Sequence, residues 1–269
     1  MAESRDLFDL SGKTAVVTGA AGQLGGQYVR ALLDAGARVA ALDINLDNPK
    51  SDLGSIDSVN LIKCECDVTE KSALRKTLQL IRKKFDTPSI LINNAAVDSP
   101  PGAGGDATGP FENYPETSWD QVMEANLKGV YLCCQVFGSA MAESVENGSI
   151  INISSVYGLV SPDQRIYQYQ TPPFTKPVAY SVSKSGVLNL TRYLATYWAE
   201  KGIRVNTLTL GGVFNDQDES FLKNYRSKVP LGRMAEAGEY NGAILFLASD
   251  ASSYMTGSNL VIDGGYTSW

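Results

Sequence analysis

Hydrophobic positions along the chain fall into two alternating patterns. Short β-rich apolar runs, TAVVTG, RVAALD, NLIKCECD, SILINNA, SIINIS, RVNTLTL and LVID, are separated by longer stretches of helical period such as QLGGQYVRALLDAG and KSALRKTLQLIRKKF. This repeated strand and helix order predicts a parallel sheet with helices on both faces. The right-handed crossover rule favours a doubly wound sheet, whose ligands sit beyond the carboxyl ends of the strands. Functional residues are therefore expected where strands stop.

Three segments break the rhythm: a Gly/Pro-rich loop at 98–116, an interruption within 154–184, and a long loop at 211–232 whose 214–228 part is a candidate lid. No internal repeat or interdomain linker is evident, and the whole chain, 1–269, reads as one domain. The first strand runs into TGAAGQLGG, with Gly19, Gly22, Gly25 and Gly26 where it must turn into a helix. Glycines there let the backbone approach a pyrophosphate, and the helix start offers free N–H groups; a purely structural tight turn is the alternative. Asp43 ends the second strand, where a carboxylate can accept both ribose hydroxyls of NAD and repel the 2′-phosphate of NADP, or simply form a turn. CDVTE sets Asp67 and Val68 beside the adenine, and INNAAV puts Asn93 and Ala95 along the same cofactor, although Asp67 and Asn93 also suit a structural role.

Composition narrows the picture. With 43% hydrophobic residues the chain can bury a sizeable core. Its 23 basic residues against 29 acidic ones give a net charge of −6 with no basic cluster, which argues against nucleic acid. No apolar run is long enough for a bilayer and the first residues lack a secretory pattern, so a cytoplasmic protein is expected. The chain has no histidine, so any general base is Tyr, Lys, Asp, Glu or Cys. Cys64, Cys66, Cys133 and Cys134 are expected to be buried, reduced thiols, and no metal is expected.

In AYSVSKSGVLNLTRYLATYWAEKG the helical pattern sets Tyr180 and Lys184 one turn apart on one face. A tyrosine titrating near ~10 is a poor base at neutrality, but a nearby ammonium favours the phenolate. The elements TGAAGQLG, INNAA, EANLKGV, NISS, YSVSK, RVNTLTLGG and the terminal DGG follow one another in the order of the short-chain dehydrogenase/reductase superfamily, which the sequence resembles over nearly its whole length. The resemblance implies a Rossmann-type three-layer α/β sandwich with a seven-stranded parallel sheet, and a homotetramer, or a homodimer, assembled through the long helices carrying Asn126 and Tyr180. It implies a catalytic tetrad of Asn126, Ser155, Tyr180 and Lys184: Tyr180 exchanges the alcohol proton, Ser155 orients the substrate oxygen, Lys184 lowers the tyrosine pKa and holds the nicotinamide ribose, and Asn126 keeps a relay water near the lysine. Ser154 is the alternative serine, although strand alternation turns it the other way. The expected NAD site comprises Gly19, Gln23, Leu24, Gly25, Asp43, Asp67, Val68, Asn94, Ala95, Ala96, Tyr180, Lys184, Gly211 and Val213. Gln23 stands where the family usually carries a third glycine, and Leu210 where it usually carries a proline.

Family members usually carry a much shorter connection between the catalytic serine and tyrosine. Here the surplus, about 161–177, falls between a strand end and the catalytic helix, over the substrate mouth. Arg165, Tyr167, Gln168, Tyr169, Gln170 and Phe174 supply aromatic faces, amides and one planar cation able to grip a carboxylate or phosphate, a set suited to a polyhydroxylated ligand, neutral or anionic; packing against a neighbouring subunit is the alternative. The insertion and the C-terminal segment resemble the branch concerned with sugar and sugar-acid oxidation and with surface-glycan or flagellin sugar biosynthesis. The expected function is NAD(H)-dependent hydride transfer to or from a carbohydrate-like small molecule. A 3-oxoacyl or other carbonyl reductase, or an NAD-binding sensor or scaffold without turnover, are the alternatives.

Overall fold

The computed structural model describes residues 6–48, 51–98, 109–144, 147–169 and 174–269. Its seven strands are β1 (Thr14–Thr18), β2 (Arg38–Asp43), β3 (Leu61–Glu65), β4 (Ile90–Asn93), β5 (Gly148–Ser155), β6 (Ile203–Leu210) and β7 (Asn259–Ile262). All pair in parallel, in the spatial order β3-β2-β1-β4-β5-β6-β7. Each coincides with one of the seven apolar runs. The order reverses between β1 and β4, so a crevice opens beyond the carboxyl ends of those strands.

Helices α1 (Gln23–Asp34) and α6 (Asn241–Ala248) cover one face. Helices α2 (Lys71–Lys84), α3 (116–144) and α4 (Val178–Tyr197) cover the other. Consecutive strand residues feed opposite cores: Val17, Val39 and Ile92 pack with Tyr28, Leu32 and Leu247, whereas Val16, Leu42 and Leu91 pack with Leu74, Ile81 and Phe137. Burial on both faces is why the five inner strands read as largely apolar runs rather than alternating ones, while the edge strands β3 and β7 are partly exposed. The four cysteines are buried and free. Among the described residues, no helix is long and apolar enough to cross a membrane.

Two features lay outside the sequence pattern. Helix α3 contains two π-helical turns, Glu124–Lys128 and Cys134–Gly138, the first of which carries Asn126. The 211–232 segment, expected as a loop, holds helix α5 (Glu219–Arg226), capped by the Asp218 carboxylate, which accepts from Ser220 N at 2.7 Å. A third apolar cluster forms beyond the strand ends, where Ile166 and Tyr167 of the insertion meet Leu222 and Tyr225 of α5.

Candidate active site

Ser155 closes β5, and Tyr180 and Lys184 lie one turn apart near the start of α4. The strand and helix are locked by Ser154, whose hydroxyl donates to Lys184 O at 2.9 Å, leaving Ser155 as the serine aimed at the site. Gly158 permits this approach, because a Cβ there would lie 2.6 Å from Ser154 Oγ and 2.8 Å from the Lys184 carbonyl. Ser155, Tyr180 and Lys184 line one cavity of about 540 Å³, with Tyr157, Tyr167 and Lys176 among its other walls.

The protons in this site are set chiefly by burial. Burial pushes the Tyr180 phenol up to about 12, the Asp98 carboxylate adds to that rise, and a hydrogen bond with Ser155 opposes it. Burial draws Lys184 down to about 8, partly countered by Asp98. Lys184 Nζ lies 5.9 Å from the Tyr180 ring centre and donates to Ile153 O at 2.9 Å. Asn126 is fully buried behind the cavity wall. Its amide accepts from Val97 N at 2.7 Å and donates to Val97 O at 2.8 Å and Ser183 Oγ at 3.2 Å, tying the loop after β4 to α4. Both of its amide N–H groups are thus committed to framework bonds, while Oδ1 keeps one lone pair.

A second cleft, of about 480 Å³, spans the switch point and gathers Gly19, Gln23, Leu24, Asp43, Asp67, Val68, Asn94, Ala95 and Ala96. Its chemistry fits a dinucleotide. No side chain caps α1, so its first N–H groups are free for a pyrophosphate. Gly19, at φ +63°, has Ala95 Cα only 2.7 Å from where a Cβ would stand. Asp43 holds the turn, accepting from Ala21 N at 2.9 Å and Asn45 N at 3.0 Å, and each of its oxygens retains a lone pair for a ribose. Asn94 bridges the crevice, its amide donating to Thr18 O at 3.1 Å and Gly19 O at 3.0 Å.

Several expected residues lie elsewhere. Gly25 is buried behind the turn, where a Cβ would meet Gly19 O at 2.1 Å, so it permits the packing of α1 rather than lining the cleft. Asn93 points into the core, donating to Asn152 Oδ1 at 2.8 Å and Cys134 Sγ at 3.3 Å. Gln23, in place of a third glycine, does line the cleft and in addition reaches the lid segment, donating to Phe214 O at 2.6 Å. Gly211 and Val213 line the catalytic cavity.

The insertion forms an aromatic wall with α5. Tyr167 stacks on Phe221 at 5.5 Å and meets Phe174 at 5.1 Å, Tyr169 meets Phe221 at 6.2 Å, and Asn224 Nδ2 donates to Ile166 O at 3.2 Å. Gln168 is exposed and lines no described cavity. Gln170 lies outside the described residues. Arg165 does not reach the substrate cavity: its side chain is 82% exposed and clasps Asp163 through Nε at 2.8 Å and Nη2 at 2.7 Å. Sequence reasoning missed Asp98, Tyr157, Lys176 and Tyr225, all lining the cavity. The available signal was position alone, since Asp98 follows INNAAV and Lys176 directly precedes the catalytic helix.

A doubly wound parallel sheet with a dinucleotide cleft beside a Ser, Tyr and Lys cavity defines a nicotinamide-dependent oxidoreductase. Residues 19–267 match the family model described as enoyl-(acyl carrier protein) reductase, and the chain belongs to the short-chain dehydrogenase/reductase superfamily. It is 33% identical to D-arabinitol 2-dehydrogenase (ribulose-forming) of Scheffersomyces stipitis, over 97% of this chain and 96% of that protein. It is likewise 33% identical to D-threitol dehydrogenase of Mycolicibacterium smegmatis, over 97% of this chain and 95% of that one. A crystal structure of a short-chain dehydrogenase from Leptospira borgpetersenii with bound NAD+ superposes with a TM-score of 0.85 at 33% identity, covering 99% of this chain and 96% of that one.

Proposed function

We propose that the protein is an NAD-dependent dehydrogenase of carbohydrate-like alcohols, interconverting a secondary hydroxyl and a ketone on a polyol. The observation that carries this reading is the convergence of Ser155, Tyr180 and Lys184 on one cavity. The polyol-oxidising relatives support the substrate class. An acyl group tethered to an acidic carrier protein suits a chain of net charge −6 poorly.

In this reading a nicotinamide, when bound, would supply the hydride acceptor. Ser155 hydrogen-bonds the substrate oxygen and fixes its orientation, and Tyr180 takes the hydroxyl proton at its phenolic oxygen. Lys184 supplies positive charge one helical turn away and is available to the nicotinamide ribose. Asn126 acts through the framework, holding the 97 backbone against α4. The first N–H groups of α1 hold the pyrophosphate, Asp43 the adenosine ribose, and Asp67 and Val68 border the adenine. The aromatic wall of the insertion and lid excludes water and covers the C–H faces of the substrate. The chain works as one domain, cytoplasmic and oligomeric, with the tetramer of the superfamily as its assembly.

The test is oxidation of four- to six-carbon polyols by the purified protein with NAD and with NADP, followed by reduced-nicotinamide absorbance. NAD-linked turnover is expected, and Asp43→Ala should narrow the preference over NADP by about tenfold or more, since a charged hydrogen bond is worth roughly 1.5–3 kcal/mol. Equal efficiency with both cofactors in the unaltered protein removes the NAD assignment. Failure to oxidise any polyol removes the substrate class.

A further inference from the structure

The insertion brings a second lysine to the catalytic cavity. Lys176 Nζ lies 4.9 Å from the ring centre of Tyr180 and 5.8 Å from that of Tyr157, and its side chain is only 11% exposed. Such a cation is held by design of the surrounding chain. The Gln164 side chain accepts from Lys176 N at 2.8 Å and donates to Lys176 O at 3.3 Å, fixing the backbone of the residue. The ammonium is paired with the carboxylate of Asp98, which arrives from the loop after β4. Both residues line the cavity that holds Ser155 and Tyr180.

That bond engages one of the two oxygens of Asp98 and one of the three N–H groups of Lys176, so the pair can still accept and donate. A hydroxyl group does both as well, and neighbouring hydroxyls on a carbon chain can satisfy acceptor and donor together. An anion cannot: it gains from the lysine and is repelled by the carboxylate beside it. Among the described residues the rest of the cavity wall sets one further acid against one further lysine and so gives anions no net advantage. That acid is Asp218 and that lysine Lys184, while Arg165, the planar cation of the insertion, is turned to solvent on Asp163.

We infer that Asp98 and Lys176 form a specificity pair that reads adjacent hydroxyls of a neutral polyol or ketose and rejects sugar acids and sugar phosphates. The inference rests on the carbohydrate reading above and sharpens it. Asp98 also acts on Tyr180 and Lys184, so its loss moves kcat as well as KM, but that effect is common to polyol and aldonate and cancels in their ratio.

The test compares arabinitol, threitol and galactitol with arabinonate, threonate and galactonate in the wild type, Asp98→Asn and Lys176→Met. Turnover with NAD is measured alongside calorimetric binding of each ligand to the NADH complex, which needs no chemistry. The wild type should favour polyol over the matching aldonate by about 100-fold in kcat/KM. Asp98→Asn keeps the size of the side chain and leaves Lys176 unneutralised, so the ratio should fall by at least about tenfold, with aldonate binding tightened. Lys176→Met should raise the polyol KM by about tenfold or more. A clasp with a purely structural role would change stability without moving the polyol to aldonate ratio. An unchanged ratio in Asp98→Asn, or a wild type that prefers aldonates, overturns the pair's role while leaving the dehydrogenase reading intact. A wild type that oxidises no carbohydrate and binds none overturns both.

Discussion

At the scale of single residues, Lys184 is buried and Tyr180 partly buried, each against its own charge. With its phenol pushed up to about 12, Tyr180 is protonated at neutral pH before ligands bind, the state in which it can give a proton to a ketone. Alcohol oxidation needs the phenolate instead. The sign follows: kcat/KM for oxidation should rise with pH from about 7 toward 10, and reduction should favour the lower end of that range. A pH profile that is flat in both directions would show that another group carries the proton. Tyr180→Phe preserves the ring and removes the acid/base group, so turnover should fall by at least ~100-fold while NADH binding, read by calorimetry, persists. The reacting residues were legible because each stands inside a motif whose spacing fixes its direction. Asn93 and Asn94 show where that legibility thins, since the end of a strand decides which of two neighbours turns inward and only the register of β4 with β5 settles it. Arg165 was misleading for a local reason: Asp163 lies two positions away in the same short turn and takes the guanidinium before any ligand can. Lys176 and Asp98 carried no pattern because their meaning arises from a contact between distant segments.

At the scale of elements, the five inner strands were legible because burial on both faces leaves each rich in apolar residues, whereas the partly exposed edge strands β3 and β7 were legible from their short β-rich runs alone. The π turns of α3 were not, since an extra residue in a turn leaves the side-chain pattern nearly helical while displacing Asn126 toward Val97. Helix α5 was hidden by its charge, ESFLKNYR reading as a polar loop although Phe221, Leu222 and Tyr225 share a side. Its packing shows why the long connection to Tyr180 exists: Tyr167, Tyr169 and Phe174 of the insertion have Phe221 or its neighbours as partners. Phe221 is thus the hinge of contact between insertion and lid. Phe221→Ala removes ring contacts with Tyr167, Tyr169 and Tyr225 worth about 0.5–1.5 kcal/mol each beyond area burial, so Tm should fall by several degrees and the polyol KM should rise several-fold. A KM equal to that of the wild type would reject closure of this wall over the substrate.

At the scale of the whole molecule, α3 and α4 lie side by side, with Leu127 filling the space over Gly186, where a Cβ would come within 2.9 Å. The outer side of α4 then carries Val182, Tyr193 and Tyr197 at helical spacing, and α3 adds Tyr131. Tyr193 and Tyr197 are 63% and 65% exposed, and their rings stack at 6.0 Å with an interplanar angle of 10°. Two large rings held parallel in solvent gain little in a monomer, whereas an aromatic side chain can bury roughly 150–250 Å² on association. These are the helices through which the superfamily resemblance implies a tetramer, and a two-fold axis across them would set the tyrosine stack against its own copy. The wild type is expected to sediment as a tetramer. Tyr193→Glu places a carboxylate opposite its symmetry mate and should shift the protein to a dimer or monomer at micromolar concentration, measured by analytical ultracentrifugation, with the fold retained by circular dichroism. A variant that sediments like the wild type would move the interface to another face. Because α4 also carries Tyr180 and Lys184, loss of assembly should lower turnover as well, by loosening the helix that aims both groups at Ser155.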